Sequence, residues 1–217
     1  MRALLHRLRA EDRGITLVEL IVAMLVTSLM LTLVGSFFVS MTKAQQTVSG
    51  LDASTRQGTT SVTQLGRYLR EASRVPVSRT VTQPAFSTAT AGALAFTSSV
   101  DTTTSAAGMT KVTVDVVAGK LLMQLQRGDC STGYCTFPSS NPVRSVVLAD
   151  VVRGRSLFTY SNANGTVFTP TSTTVDTIRS VRITLTTGST GSAAANDTTF
   201  AATINLRNLD YGAATES

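Results

Sequence analysis

The chain opens on a short basic stretch and then turns apolar. From Ile15 to Met41 nearly every residue is apolar or a small hydroxyl residue, and Glu19 is the one ionisable side chain. As a helix this stretch would span about 40 Å, more than the roughly 30 Å of a bilayer's hydrocarbon core. It predicts a membrane-crossing helix. Arg2, Arg7, Arg9 and Arg13 on its N-terminal flank hold that end in the cytoplasm, so Lys43 and everything after it is expected on the far side.

Beyond the apolar stretch a regular stripe begins: Met41, Ala44, Val48, Leu51, Thr55, Gly58, Val62, Leu65, Leu69, Ala72. Its spacing alternates three and four, as for one face of an amphipathic helix. Lys43, Gln45, Gln46, Asp52, Arg56, Gln64 and Arg67 fall on the other face, and no proline interrupts the chain before Pro76. One helix is therefore expected from about Ile15 to about Arg74, roughly 90 Å long, with the stripe packed on whatever follows.

From Val77 the period changes to two. Lys111 to Val117 and Lys120 to Gln126 flank Ala118-Gly119 and read as a hairpin. Ser156 to Tyr160 and Thr166 to Thr169 flank a turn at Asn162 to Gly165 and read as a second. Ile178 to Thr186 sets Val181, Ile183 and Leu185 on one face, and Thr199 to Arg207 does the same with Phe200, Ala202, Ile204 and Leu206. These last two strands are expected to pair antiparallel across a flexible Gly-Ser-Ala-Asn loop. The fold class is α+β: a long N-terminal helix, transmembrane in its first half, packed on a mostly antiparallel sheet.

Charge changes this picture little. The 19 basic and 13 acidic residues give +6, with part of the excess in the N-terminal leader, which is too modest to argue nucleic-acid binding. Arg67, Arg70 and Arg74 form a weak basic patch near the helix end. They read either as a surface for DNA or an acidic partner, or as side chains meeting the negative end of the helix dipole. Cys130 and Cys135 are the two cysteines and His6 the sole histidine, so a local disulfide is favoured over a metal site. With no nucleophile–base pair, phosphate loop or acidic cluster, no catalysis, cofactor or metal is expected.

The apolar run is too long for an ordinary secretory signal and lacks the cysteine of a lipoprotein signal. A plain uncleaved anchor leaves Glu19 unexplained. A carboxylate in such a segment costs a few kcal/mol and is normally there for a partner. The bland alternative is that it snorkels to the membrane face and meets the positive end of the helix dipole.

Arg13-Gly14-Ile15-Thr16-Leu17-Val18-Glu19-Leu20 resembles the type III signal sequence of type IV prepilins and type II secretion pseudopilins, although the family usually has phenylalanine where this chain has Ile15. The resemblance implies that a prepilin peptidase cuts after Gly14 and methylates the Ile15 amine. It also implies that Glu19, fifth in the mature chain, pairs with a neighbouring subunit's N-terminal amine. More weakly, Val151 through Gly165 and Ile204 to Asn208 resemble the PulJ/PilW-type minor pilins. The organisation expected is a cleaved leader at 1–14, a transmembrane half-helix at 15–41, an exported half-helix at 42–75 and a β-rich head at 76–217. The partners implied are the peptidase, major and minor pilins or pseudopilins, an inner-membrane assembly platform, and the lipid bilayer before assembly. DNA capture or adhesion at a filament tip is the alternative role.

Overall fold

A computed structural model describes residues 15–100, 108–188 and 197–210. The leader, with Gly14, and most of the loop expected before Thr199 lie outside the described residues. The chain divides into two compact units, Met1–Val48 and Ser49–Ser217.

Helix α1 (Leu17–Arg70) is continuous over 54 residues, with Glu19 in its first turn and Arg67 and Arg70 in its last. It begins and ends inside the expected bounds. Before Ser49 its residues are all exposed, among them the adjacent Phe37 and Phe38 at 72% and 70%. This helix is long and apolar enough to cross a membrane, and none of its most apolar stretch is buried within the chain.

The second unit holds the rest of α1 and the strands. Strands β3 (Phe86–Ala89), β4 (Leu94–Ser98), β5 (Thr110–Val117), β6 (Lys120–Arg127) and β7 (Val143–Ala149) form one antiparallel sheet in chain order. A second antiparallel sheet runs β10 (Val167–Phe168), β9 (Phe158–Ser161), β11 (Ser180–Thr187), β12 (Thr198–Asn205), with β8 (Val152–Arg153) also on β11. Short β1 (Val75–Pro76) and β2 (Thr82–Gln83) pair separately. A 3-10 turn (Val175–Thr177) precedes β11, and a short helix α2 (Arg207–Asp210) follows β12.

The expected hairpins are present. Between β5 and β6, Ala118 and Gly119 have φ of 50° and 76°, and two consecutive left-handed residues make the tight turn whose twist matches the strands. Strands β9 and β10 pair across Asn162 to Gly165, and β11 pairs with β12 over its whole length. Period-two burial follows the pattern read from sequence: Val181, Ile183 and Leu185 are buried.

One core gathers Leu65 and Leu69 of α1, Phe86, Phe96 and Met123 of the first sheet, and Ile183 of the second. Burying each such side chain contributes about 1.5–3 kcal/mol. The buried face of α1 differs from the expected stripe. It comprises Ser54, Gly58, Ser61, Leu65, Gly66, Tyr68 and Leu69, whereas Thr55 is exposed and Val62 half-buried. Hydrogen bonding explains the rotation. The Ser61 hydroxyl lies 2.6 Å from the Gln57 carbonyl and 2.7 Å from the Leu148 carbonyl, and Thr187 Oγ1 donates to the Ser54 carbonyl at 3.2 Å. Buried serines so satisfied are tolerated in a core.

The helix also ends a turn earlier than its pattern allows, because β4 closes it. Ser98 Oγ donates to the Tyr68 carbonyl at 2.9 Å and the Ser99 N–H to the Glu71 carbonyl at 3.0 Å. Ser98, the last residue of β4, and Ser99 just beyond it satisfy carbonyls that a helix terminus leaves open.

Candidate functional site

The N-terminal turn of α1 is built on Thr16. Its carbonyl accepts the Leu20 N–H at 3.1 Å, the first intrahelical bond, and its Oγ1 accepts the Glu19 N–H at 3.3 Å. Thr16 is thus the N-cap and Glu19 the third residue of the helix. Thr-x-x-Glu is the spacing of a capping box, in which the carboxylate sits where the helix dipole is positive. That local signal was present in the sequence, though it says nothing of a partner. Ile15 lies outside the helix and is 73% exposed.

Downstream, the hydroxyl residues of the apolar stretch bond to their own helix. Thr27 donates to the Ala23 carbonyl at 2.7 Å, Ser28 to Leu25 at 3.0 Å, Thr32 to Ser28 at 2.8 Å, Ser36 to Leu33 at 2.8 Å and Ser40 to Ser36 at 3.0 Å. Each thereby lowers the cost of placing a hydroxyl in hydrocarbon. Among the described residues the Glu19 carboxylate has no ion-pair partner. Unlike the hydroxyls it carries a full charge, which the positive end of the helix dipole offsets only in part.

At the other end of α1 the three arginines separate. The Arg74 Nε pairs with Asp176 Oδ1 at 3.2 Å, while Arg67 and Arg70 are exposed. Arg70 shares a groove with Arg207 of α2, whose contribution no sequence spacing revealed.

Cys130 and Cys135 form a disulfide. The loop it closes is tied down at both ends. Asp129 and Thr136 exchange two backbone hydrogen bonds of 2.8 and 2.9 Å, and the Cys135 N–H donates to the Pro76 carbonyl at 3.1 Å. The Ser131 N–H at 3.0 Å from Asp129 Oδ1, helped by the Ser131 hydroxyl, holds that carboxyl below its ordinary range.

The family model of the prokaryotic N-terminal methylation motif matches residues 9–35. The match spans the expected cleavage bond, the Thr16 cap, Glu19 and the first half of the apolar helix. A signal of this kind is that of pilin- and pseudopilin-like precursors, and it implies processing by a prepilin peptidase and assembly with other pilins. No curated protein matches the chain.

Proposed function

We propose that the chain is a minor pilin or pseudopilin, a membrane-anchored subunit of the PulJ/PilW type that joins or prims a type IV pilus or a secretion pseudopilus. On this reading 1–14 is a leader cut after Gly14, and the new Ile15 amine is methylated. The segment 15–41 anchors the subunit in the bilayer before assembly, 42–75 continues the helix outside, and 76–217 is the exported head. The inner-membrane platform and neighbouring pilins then receive it. A bulky head with long polar loops suits a subunit present in few copies better than one packed throughout a filament.

The observation that carries the reading is the exposed apolar half of α1 with a single carboxylate in its first turn. Lipid can cover the apolar surface, but it offers Glu19 nothing. A neighbouring subunit's N-terminal amine would relieve the desolvation of both charges at once.

Mass spectrometry of the mature N-terminus, with and without the prepilin peptidase, tests it. A chain beginning at Ile15 only when the peptidase is present is the expected result. A chain retaining Met1 to Gly14 under both conditions would leave a plain membrane-anchored β-domain instead.

A further inference from the structure

Among the described residues the two larger sheets end on four strands, and three of these edges are blunted. Strand β3 has a register shift between Phe86 and Thr88, β7 carries Arg144 and lies on a shifted register, and β10 is two residues long. Bulges, charges and short length are the usual guards against unwanted strand pairing. Strand β12 has none of them. It runs eight residues in unbroken register, Thr-Thr-Phe-Ala-Ala-Thr-Ile-Asn, with no charge and no proline.

The hydrogen bonds fix which of its backbone groups are open. Thr184 donates to the Leu157 carbonyl at 2.8 Å and Gly188 to the Val151 carbonyl at 3.2 Å, so even-numbered residues of β11 face β9 and β8. On the other side Leu206 donates to the Arg179 carbonyl at 2.9 Å. Alternation along an antiparallel ladder then gives Val181, Ile183, Leu185 and Thr187 to β12, opposite Ile204, Ala202, Phe200 and Thr198. The intervening Thr199, Ala201, Thr203 and Asn205 turn their N–H and C=O groups away from β11. Among the described residues no strand lies beyond them, and all four are exposed.

This edge leads into a basic groove. Between the last turn of α1 and α2 lies a hollow of about 470 Å³ whose polar lining includes Arg70, Glu71, Asn205 and Arg207. Arg67 borders the adjoining hollow with Arg70. Glu71 accepts a hydrogen bond from Asn208 at 3.4 Å but keeps its charge, and Arg70 and Arg207 outnumber it. Among the described residues no aromatic side chain lines the groove to stack a base.

We propose that β12 is a docking edge for an extended segment of a partner chain, which adds as a further strand and brings a carboxylate to Arg70 and Arg207. Main-chain hydrogen bonds supply affinity in such strand addition, and the arginines select an acidic end over a basic one. A peptide matches the alternating N–H and C=O groups of the edge, which a phosphate backbone does not.

The test uses the full chain in detergent micelles and does not depend on leader processing. The probes are a synthetic octapeptide of alternating threonine and valine ending in two glutamates, the same peptide ending in two lysines, and a thymidylate oligonucleotide. Fluorescence polarisation should show the acidic peptide binding about tenfold more tightly than the basic one, with the preference lost in Arg70→Glu/Arg207→Glu. Hydrogen exchange should slow at the amides of Thr199, Ala201, Thr203 and Asn205 when the acidic peptide is bound. Ala201→Pro, on an outward N–H where an edge strand tolerates proline, should weaken binding by at least about tenfold. Unchanged binding by a folded Ala201→Pro chain overturns the proposal, as does tighter binding of the oligonucleotide. Should that variant not fold, absence of protection at the four amides in the unsubstituted chain overturns it equally.

Discussion

The Ser61 hydroxyl lies 2.7 Å from the carbonyl oxygen of Leu148, the residue that the register of β6 against β7 passes over between Val147 and Ala149. A bulge leaves its extra residue outside the ladder, and here a helix side chain 87 positions earlier supplies the missing donor. Ser61→Ala removes that donor and leaves a buried carbonyl unpaired. The expected loss is about 1–2 kcal/mol, the cost of the orphaned acceptor less a small gain in helix propensity. The exposed neighbour Thr60→Ala should stay within about 0.5 kcal/mol. Urea denaturation of the two variants compares them directly, and equal midpoints would remove this role for Ser61.

The Phe200 ring fills the space that a Cβ on Gly58 would need. In the unsubstituted chain Gly58→Ala must displace the ring, and overpacking of this kind costs about 1–3 kcal/mol, more than the roughly 1 kcal/mol that alanine gains over glycine in a helix. With Phe200→Ala in place the space is vacant and the same change should become stabilising. A double-mutant cycle reads the reversal of sign. If Gly58→Ala has the same effect in both backgrounds, the contact does not set the approach of α1 to β12.

Tyr160 is buried, donates its hydroxyl to the Thr90 carbonyl at 2.7 Å, and is pushed by burial well above the ordinary phenol range. Up to about pH 10 the phenol is protonated in folded and unfolded chains alike. Above it the unfolded chain ionises while the folded chain keeps its proton, so stability falls as pH rises. Thermal melts between pH 8 and about 11 should show this decline, and Tyr160→Phe should flatten it while costing about 1 kcal/mol at neutral pH for the lost hydrogen bond. An identical slope in the variant would assign the decline to other groups.

Replacing Cys130 and Cys135 together by serine should lower stability by about 2 kcal/mol on the loop-entropy account, since the bridge closes a short ring. The loop's backbone bonds to Thr136 and Pro76 are expected to keep it in place, so the loss should show in denaturation midpoints more than in the spectrum of the folded chain. A variant that melts like the parent would mean that those backbone bonds alone define the loop.

Glu19→Ala and Glu19→Leu should still be cut after Gly14, because neither changes the scissile bond, yet enter filaments poorly. Cell fractionation with N-terminal mass spectrometry separates the two steps. Normal incorporation of both variants would leave Glu19 with its place in the Thr16 capping turn and no role between subunits.

Much of this was legible in the chain itself. The apolar run, the Thr16-x-x-Glu19 turn, the Ala118-Gly119 hairpin and the alternation of Val181, Ile183 and Leu185 are set by interactions between residues close in sequence, and their periods survive in the fold. What the tertiary structure alone decided are matters of partners far apart. The helix turned Ser54 and Ser61 inward, and left Thr55 outside, because Thr187 and Leu148 meet those positions with hydrogen-bonding groups. Arg74 left the basic patch because Asp176 was within reach, and Arg207 took its place beside Arg70. Strand order put β12 at an edge, where it lacks the bulge, charge or short length of the edges at β3, β7 and β10. Hydrophobic period fixes which side of an element is greasy, but the final rotation of a face, the pairing of a charge and the position of an edge depend on groups that only folding brings together.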